Sequence, residues 1–328
     1  MPGRQRNGRH RSDWGTPRFC STPNARPATL NPVKTCVIFN PAARGEKAKL
    51  FRDQLAALSA RVTLKPTYAA GSGRPLAAEA VREGFEAVVA AGGDGTLNEV
   101  INGIAEVPDG FAKTRLGVLP LGTINVFARE LRLPTNFDAA WKIIEQGRET
   151  LIDLPQAEFT KDGQKQERCF AQLAGAGLDS RAIELVDWEQ KKSFGPLAYV
   201  FAGFKALREP KSQIFASAAH AGAQGELVLI GNGRYYGGSF ELFPKADLRD
   251  GLLDVTVFPK VNWETLLRSG WGWLTDQIHS AAGCHTFQAE SFTLNATGQV
   301  AVELDGDNVG HLPAKFSVRR QVLRVLVP

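Results

Sequence analysis

Four cysteines, no strongly apolar run and no phosphate loop of the Walker type leave several protein classes behind at once. Cys20, Cys36, Cys169 and Cys284 stand far apart with no C-x-x-C pair. That spacing excludes a disulfide scaffold or zinc ribbon and fits a reducing compartment. The longest apolar stretch, 194–207, has 14 residues and contains Lys205, too short to span a bilayer. The N-terminus has no apolar signal core, so the reading is a cytosolic rather than a secreted protein. Histidines 10, 220, 279, 285 and 311 show no metal-ligand spacing, and G-x-x-x-x-G-K-[ST] does not occur. No internal repeat stands out.

Surplus charge is also scarce once it is located. The formal charge is +5, but seven of the 39 bases and one of the 34 acids fall within residues 1–34, so the other 294 residues carry 32 bases and 33 acids. Residues 1–34 are rich in Arg, Pro, Ser, Thr, Gly and Asn, which reads as a disordered basic extension. Arg4, Arg6, Arg9 and Arg11 would attract anionic lipid or nucleic acid. The absence of interleaved aromatic residues argues against nucleic acid, and an inert extension is the plainer alternative. The rest, at 43% hydrophobic and 22% charged for the whole chain, is globular and long enough for two domains without metal or disulfide.

Two characters follow one another along the chain. Strand-like runs at 35–39, 62–68, 86–91 and 115–119 alternate with helical patterns at 46–61, 75–83, 96–104, 125–131 and 137–146. Leu50, Gln54, Leu55 and Leu58 carry the spacing of the first helix. Such alternation predicts βαβ units and a parallel sheet. After about residue 151 come β-like runs at 156–160, 168–173, 212–218, 227–231, 254–258, 287–294 and 300–304, with helical inserts near 180–188, 196–207 and 263–279. This predicts a mostly β domain, a sandwich, over 152–328, after an α/β domain over 35–151. The closing run 315–327 can pair with either.

The strongest motif is Gly92-Gly93-Asp94-Gly95-Thr96-Leu97-Asn98-Glu99, between a strand and a helix. Three glycines let the backbone turn tightly and approach a ligand. The amides of such a loop and of the next helix's first turn suit phosphate oxygens. Asp94 is free in this reading to hold Mg²⁺ or orient a hydroxyl, and Thr96 to cap the helix or bond a phosphate. Gly175-Ala176-Gly177-Leu178-Asp179-Ser180 nearly makes a dinucleotide fingerprint, but Ser180 takes the third glycine's place. It is read as a tight strand-to-helix turn. Pro120-Leu121-Gly122-Thr123 and Asn40-Pro41-Ala42-Ala43-Arg44-Gly45 also follow strands. Three such loops on one sheet edge make a nucleotide cleft.

Asn-Pro-x-x-x-Gly at 40–45, Gly-Gly-Asp-Gly-Thr-Leu-Asn-Glu-Val at 92–100 and Pro-Leu-Gly-Thr at 120–123 resemble the diacylglycerol kinase catalytic family, which includes sphingosine kinases and bacterial lipid kinases. Gly231-Asn232-Gly233-Arg234-Tyr235-Tyr236-Gly237-Gly238, Asp250-Gly251-Leu252-Leu253-Asp254-Val255 and Asp305-Gly306-Asp307 extend the resemblance to everything beyond the basic extension. It implies ATP-dependent phosphorylation of a lipid hydroxyl, in a cleft between an α/β nucleotide domain and a β-sandwich. By that resemblance Asn40, Arg44, Gly92, Gly93, Asp94, Gly95, Thr96 and Thr123 line the ATP site, and Asp247, Asp250 and the Leu252 oxygen hold a cation such as Mg²⁺. Asp307 falls on the family's proton acceptor, with Asp94 as the second catalytic carboxylate. The partners implied are ATP and a lipid at a membrane surface, on a cytoplasmic, peripherally bound enzyme. Oligomeric state stays open, a homodimer included.

Two departures from the family pattern bear on the site. Its last motif ends in Glu, one methylene longer than Asp307, and many members carry Asp where Val126 stands. Trp263, Trp271 and Trp273 fit either a membrane-touching helix or a core-facing one, and 194–207 fits either an acyl pocket or core. An NAD kinase-like enzyme and a non-catalytic lipid- or nucleotide-binding regulator are the competing functions.

Overall fold

The runs read at 35–39, 86–91 and 115–119 become inner strands of a parallel sheet in the computed structural model, which describes residues 33–43, 46–177, 211–236, 238, 240–262, 264–265 and 283–328. The order is β1 (Thr35–Phe39), α1 (Glu46–Ser59), β2 (Thr63–Pro66), α2 (Gly73–Arg82), β3 (Ala87–Gly92), α3 (Asp94–Ala105), α4 (Gly110–Lys113), β4 (Arg115–Pro120), α5 (Val126–Glu130) and α6 (Phe137–Gln146). Strands β2, β1, β3 and β4 lie side by side, all parallel. Every residue of β3 is buried, as a strand covered on both faces requires.

Period-two alternation sorts these strands between two cores. Cys36, Ile38, Val88 and Ala90 pack with α2 and α3, whereas Val37, Phe39, Val89 and Ala91 pack with α1 and α6. Val100, Ile101 and Ile104 are wholly buried on α3, and each such side chain contributes about 1.5–3 kcal/mol. Helices α2 and α3 approach closely, since a Cβ at Gly103 would overlap the Arg74 carbonyl. The stripe on α1 differs from the one read in the sequence. Leu50 is 56% exposed, while Ala48, Phe51 and Leu58 are buried. Phe51 sets this face by meeting Phe39 at 5.5 Å and Phe137 at 6.0 Å between ring centroids.

The second half begins with β5 (Arg148–Lys161) and β6 (Gln164–Cys169) and continues through β7 (Leu173–Gly177), β8 (Ile214–Ala218), β9 (Gly222–Gly225) and β10 (Leu227–Gly231). After β11 (Tyr235–Tyr236) and β12 (Phe240–Glu241) come β13 (Leu253–Phe258), β14 (His285–Ala289), β15 (Ser291–Ala296), β16 (Ala301–Leu304) and β17 (Asp307–Val327). Buried side chains of β5, β7, β8, β10, β13, β15, β16 and β17 share one core. This is the β-rich half of a mixed α/β fold, as read from the sequence.

Strand β17 joins the halves. It pairs antiparallel with β16, β15 and β5, then parallel with β4 through Val325 and Leu116. Its register against β5 shifts between Arg319 and Leu323, where Gln321 has φ 48°. A bulge with one left-handed residue lets the strand change direction between the two halves.

Three readings need correction. The run 168–173 is not one strand, because the amides of residues 171–173 turn to the Asp305 carboxylate instead of a ladder. Gly175–Gly177 belongs to β7 rather than to a turn, and a Cβ at Gly177 would strike the Glu226 carbonyl of the neighbouring segment. The run 287–294 is two strands, β14 pairing with β13 and β15 with β8 and β17. The extension 1–32, the inserts at 180–188 and 196–207, and the tryptophans at 263, 271 and 273 lie outside the described residues.

Candidate active site at the strand ends

Register alone brings the three loops together. Phe39 pairs with Ala91 and Gly92 with Pro120, so Asn40, Gly93 and Leu121 leave neighbouring strand ends. The Gly92 carbonyl accepts from the amides of Leu121 (2.9 Å) and Gly122 (3.2 Å), hanging the second loop on the first. A Cβ at Gly122 would lie 2.6 Å from Gly93 Cα. One at Gly92 would overlap the Thr96 side chain, yet one at Gly95 would meet nothing within 4 Å. Two glycines are therefore steric necessities of the loop pair, while Gly95 faces open space.

That contrast yields a prediction. Gly92→Ala should lower the melting temperature, since it drives a methyl into a packed loop at a cost of about 1–3 kcal/mol. Gly95→Ala sits in a helical first turn and should melt at or above wild type. If phosphate occupies the open side of Gly95, the same methyl should raise the KM for ATP about tenfold, ~1.4 kcal/mol. Thermal melts and ATP titrations of both variants check this.

The polar residues of the motif turn out to be clamps, each on a different element. Asp94 Oδ2 accepts from the Val126 amide (3.1 Å) and Oδ1 from the Phe127 amide (3.3 Å). The half-buried carboxylate thus serves the unpaired N–H groups that open α5. It is not the free ligand expected from its glycine neighbours. Burial raises its proton affinity, those amide bonds pull it down, and the charge of Asp305 pushes it up. Val126, the departure from the family pattern, makes this contact with its main chain, and its side chain is buried.

Asn98, one turn further along α3, is 1% exposed. Its Nδ2 donates to Asp305 Oδ2 (2.8 Å) and to the Cys169 carbonyl (3.2 Å). Asn102 exchanges two bonds of 2.9 Å with the Cys169 main chain. Glu99 accepts from the amides of Gly71 and Gly73, both at 2.7 Å, and so holds the loop after β2. Asn98, Glu99 and Asn102 escaped assignment in the sequence, yet a signal was there. Asp94, Asn98 and Asn102 recur every four residues on a helix whose other buried side chains are apolar, which makes one polar stripe.

The stripe reaches the β16–β17 hairpin. Asp305 (φ 49°) and Gly306 (φ 91°) form its two-residue turn, both left-handed. That is what an Asp-Gly pair between strands encodes. The Asp305 carboxylate is enclosed by the amides of Ala171 (2.7 Å), Gln172 (2.9 Å) and Leu173 (3.0 Å) together with Asn98. Burial raises its proton affinity against the pull of those donors. Asp307 opens β17 with its side chain 54% exposed, and Oδ2 lies 3.4 Å from Arg168 Nη2.

The other site residues are more loosely placed. Asn40 is exposed, its Oδ1 accepting from the Ala42 amide at 2.9 Å, and Thr123 is exposed on the second loop. Arg44 lies outside the described residues. Asp250 Oδ1 accepts from the Leu252 amide (2.9 Å), and Asp247 Oδ1 from the Arg249 amide (3.1 Å). Partial loss of hydration raises Asp250, the Leu252 amide opposes it, and the charges of Asp247 and Asp153 add to the rise. Buried Asp153, unassigned in the sequence, anchors this turn by accepting from Gly251 (2.6 Å) and, at the β17 bulge, Gln321 (2.7 Å). Among the described residues no three metal-ligating side chains gather. A cation beside Asp247 and Asp250 would need main-chain oxygens as well. Carboxylate and main-chain carbonyl oxygens are a hard donor type that suits Mg²⁺ or Ca²⁺.

Residues 34–157 match the diacylglycerol kinase catalytic domain, and residues 172–327 the YegS C-terminal NAD kinase beta sandwich-like domain. A diacylglycerol kinase of Staphylococcus saprophyticus is 32% identical over 261 residues, covering 77% of this chain and 80% of that protein. One from Staphylococcus aureus is 30% identical over 306 residues, 89% and 91% of the two chains. The chain belongs to the diacylglycerol kinase family. The fold agrees: the crystal structure of a diacylglycerol kinase from Bacillus anthracis superposes with a TM-score of 0.68 over 90% of this chain and 97% of that one, at 22% identity. A diacylglycerol kinase-like protein is a lipid kinase, and the motifs quoted above are its strand-end loops and its late hairpin. In this kinase α5 is held at both ends, because Glu130 accepts from the Arg234 amide (2.7 Å) and Nε (3.0 Å), and from Gln172 (3.1 Å).

Proposed function

We propose that the protein transfers the γ-phosphoryl group of ATP to the hydroxyl of a lipid, diacylglycerol being the acceptor named for its curated relatives. The observation that carries this is a single helix. The first turn of α3 is the glycine loop, and its next turn, through Asn98, holds the hairpin that bears Asp307. Phosphoryl transfer is mostly positioning and charge neutralisation. In this reading Asn40, Gly92 to Thr96 and Thr123 receive the nucleotide, and Arg44 joins them. The acceptor oxygen bonds to the γ-phosphorus as the bond to ADP breaks, and Asp307 takes the hydroxyl proton. Residues 35–151 serve the nucleotide and 152–328 the lipid. Ile124, 50% exposed on the second loop, offers an apolar side chain at the same edge. No helix among the described residues is long and apolar enough to cross a membrane; in this reading the lipid is met at a membrane surface. A divalent cation supplies charge neutralisation for the phosphates when bound. Asp247, Asp250 and the Leu252 carbonyl are the residues that would hold one.

The test is ADP release with labelled ATP against a panel of diacylglycerol, sphingoid base and NAD. Transfer to a lipid supports the reading, and transfer to NAD alone overturns it. For the cation turn, saturating Mg²⁺ should raise the melting temperature by about 2–4 °C, and Asp250→Asn should remove that rise. An equal rise in the variant would place the cation elsewhere.

A further inference from the structure

We propose that Arg168 is a positioning residue that fixes the Asp307 carboxylate, and that Asn98 ties this placement to the phosphate loop. The inference rests on the reading of Asp307 as proton acceptor. A carboxylate 54% exposed at the start of a strand has several rotamers open to it, and general-base catalysis needs one. Arg168 limits that freedom. Its side chain is 22% exposed and its Nη2 lies 3.4 Å from Asp307 Oδ2. It is itself held, because Nε (3.2 Å) and Nη2 (2.8 Å) both donate to Asn98 Oδ1.

The amide of Asn98 has only one orientation that serves all its partners. Nδ2 must face the Asp305 carboxylate and the Cys169 carbonyl, which turns Oδ1 toward the guanidinium. Asn102 Nδ2 adds a third donor to that oxygen at 3.1 Å. Contact therefore runs from the glycine loop along α3 to Asn98, to Arg168 and on to Asp307. A planar guanidinium can clasp one acceptor with two N–H groups while presenting an edge to another, and an ammonium cannot. This device matters more here than with the family's Glu. An Asp reaches about one methylene less far, and a misplacement of roughly 1 Å costs on the order of a hundredfold in rate.

Arg168→Ala, Arg168→Lys and Asp307→Asn are compared with wild type in full-length protein, with kcat and KM measured for ATP and diacylglycerol micelles. Arg168→Ala should lose about 10–100-fold in kcat with the KM for ATP changed by no more than about twofold. Guanidinium ion added to the assay should restore part of the loss, and Arg168→Lys should recover little. Wild-type kcat in folded Arg168→Ala would overturn the inference. So would a loss confined to the KM for ATP, which would make Arg168 a phosphate ligand. Should Arg168→Ala fail to fold by thermal melt, Arg168→Gln takes its place with the same criteria. Full turnover in Asp307→Asn would instead remove the proton-acceptor reading on which the inference stands.

Discussion

Asp305→Asn, a change of one atom, is expected to destabilise the folded protein by about 2–4 kcal/mol. All the partners of this carboxylate are donors: three successive main-chain amides and the Asn98 side chain. An ionised carboxylate is acceptor-only and suits them. The amide that replaces one oxygen carries hydrogens and faces N–H groups, so bonds on that side are lost and the donors stay unmet. The effect reaches beyond the hairpin, because residues 171–173 lead from β6 into β7 and Asn98 sits on the helix of the glycine loop. Urea denaturation should show the midpoint falling at constant slope. An unchanged midpoint would mean that the enclosed carboxylate is not what ties the hairpin to α3.

Asp94→Ala is expected to abolish phosphoryl transfer while the fold survives. Removing the carboxylate leaves the Val126 and Phe127 amides without their acceptor, a loss of about 1–3 kcal/mol. A domain stable by the usual 5–15 kcal/mol, roughly, tolerates that. The site does not, because α5 loses its tie to the glycine loop, and the segment with Thr123 is then held at its Gly122 end alone. A shift of about 1 Å in such a loop is enough for a hundredfold loss. Circular dichroism with an ADP-release assay separates the two effects, and a folded variant with full turnover would refute the role.

Much of the first half could be read directly. Strands such as β3 are continuous apolar runs, and α6 coincides with its pattern over 137–146 because Asn136 caps it at the Ala139 amide. The second half was harder because its breaks come from side chains far away in sequence. Nothing local at 171–173 shows that those amides serve Asp305, more than a hundred residues later. The glycines of β7 imitate a phosphate loop for the same reason, since close strand neighbours and a ligand both demand a missing Cβ. The site motifs were visible, whereas the work of their polar members was not. Asp94 looked free because its partners follow another strand, and Asp153 drew no notice because a single acidic residue ahead of the run at 156–160 has no motif around it.

Strand β17 has a consequence for how the molecule is made. Val325 must lie beside Leu116 to cover the flank of β4, so the parallel sheet stays open on one side until the distal part of β17 has been made. Contacts this distant in sequence close slowly. The parallel sheet, although translated first, waits for the same strand that completes the β-rich half.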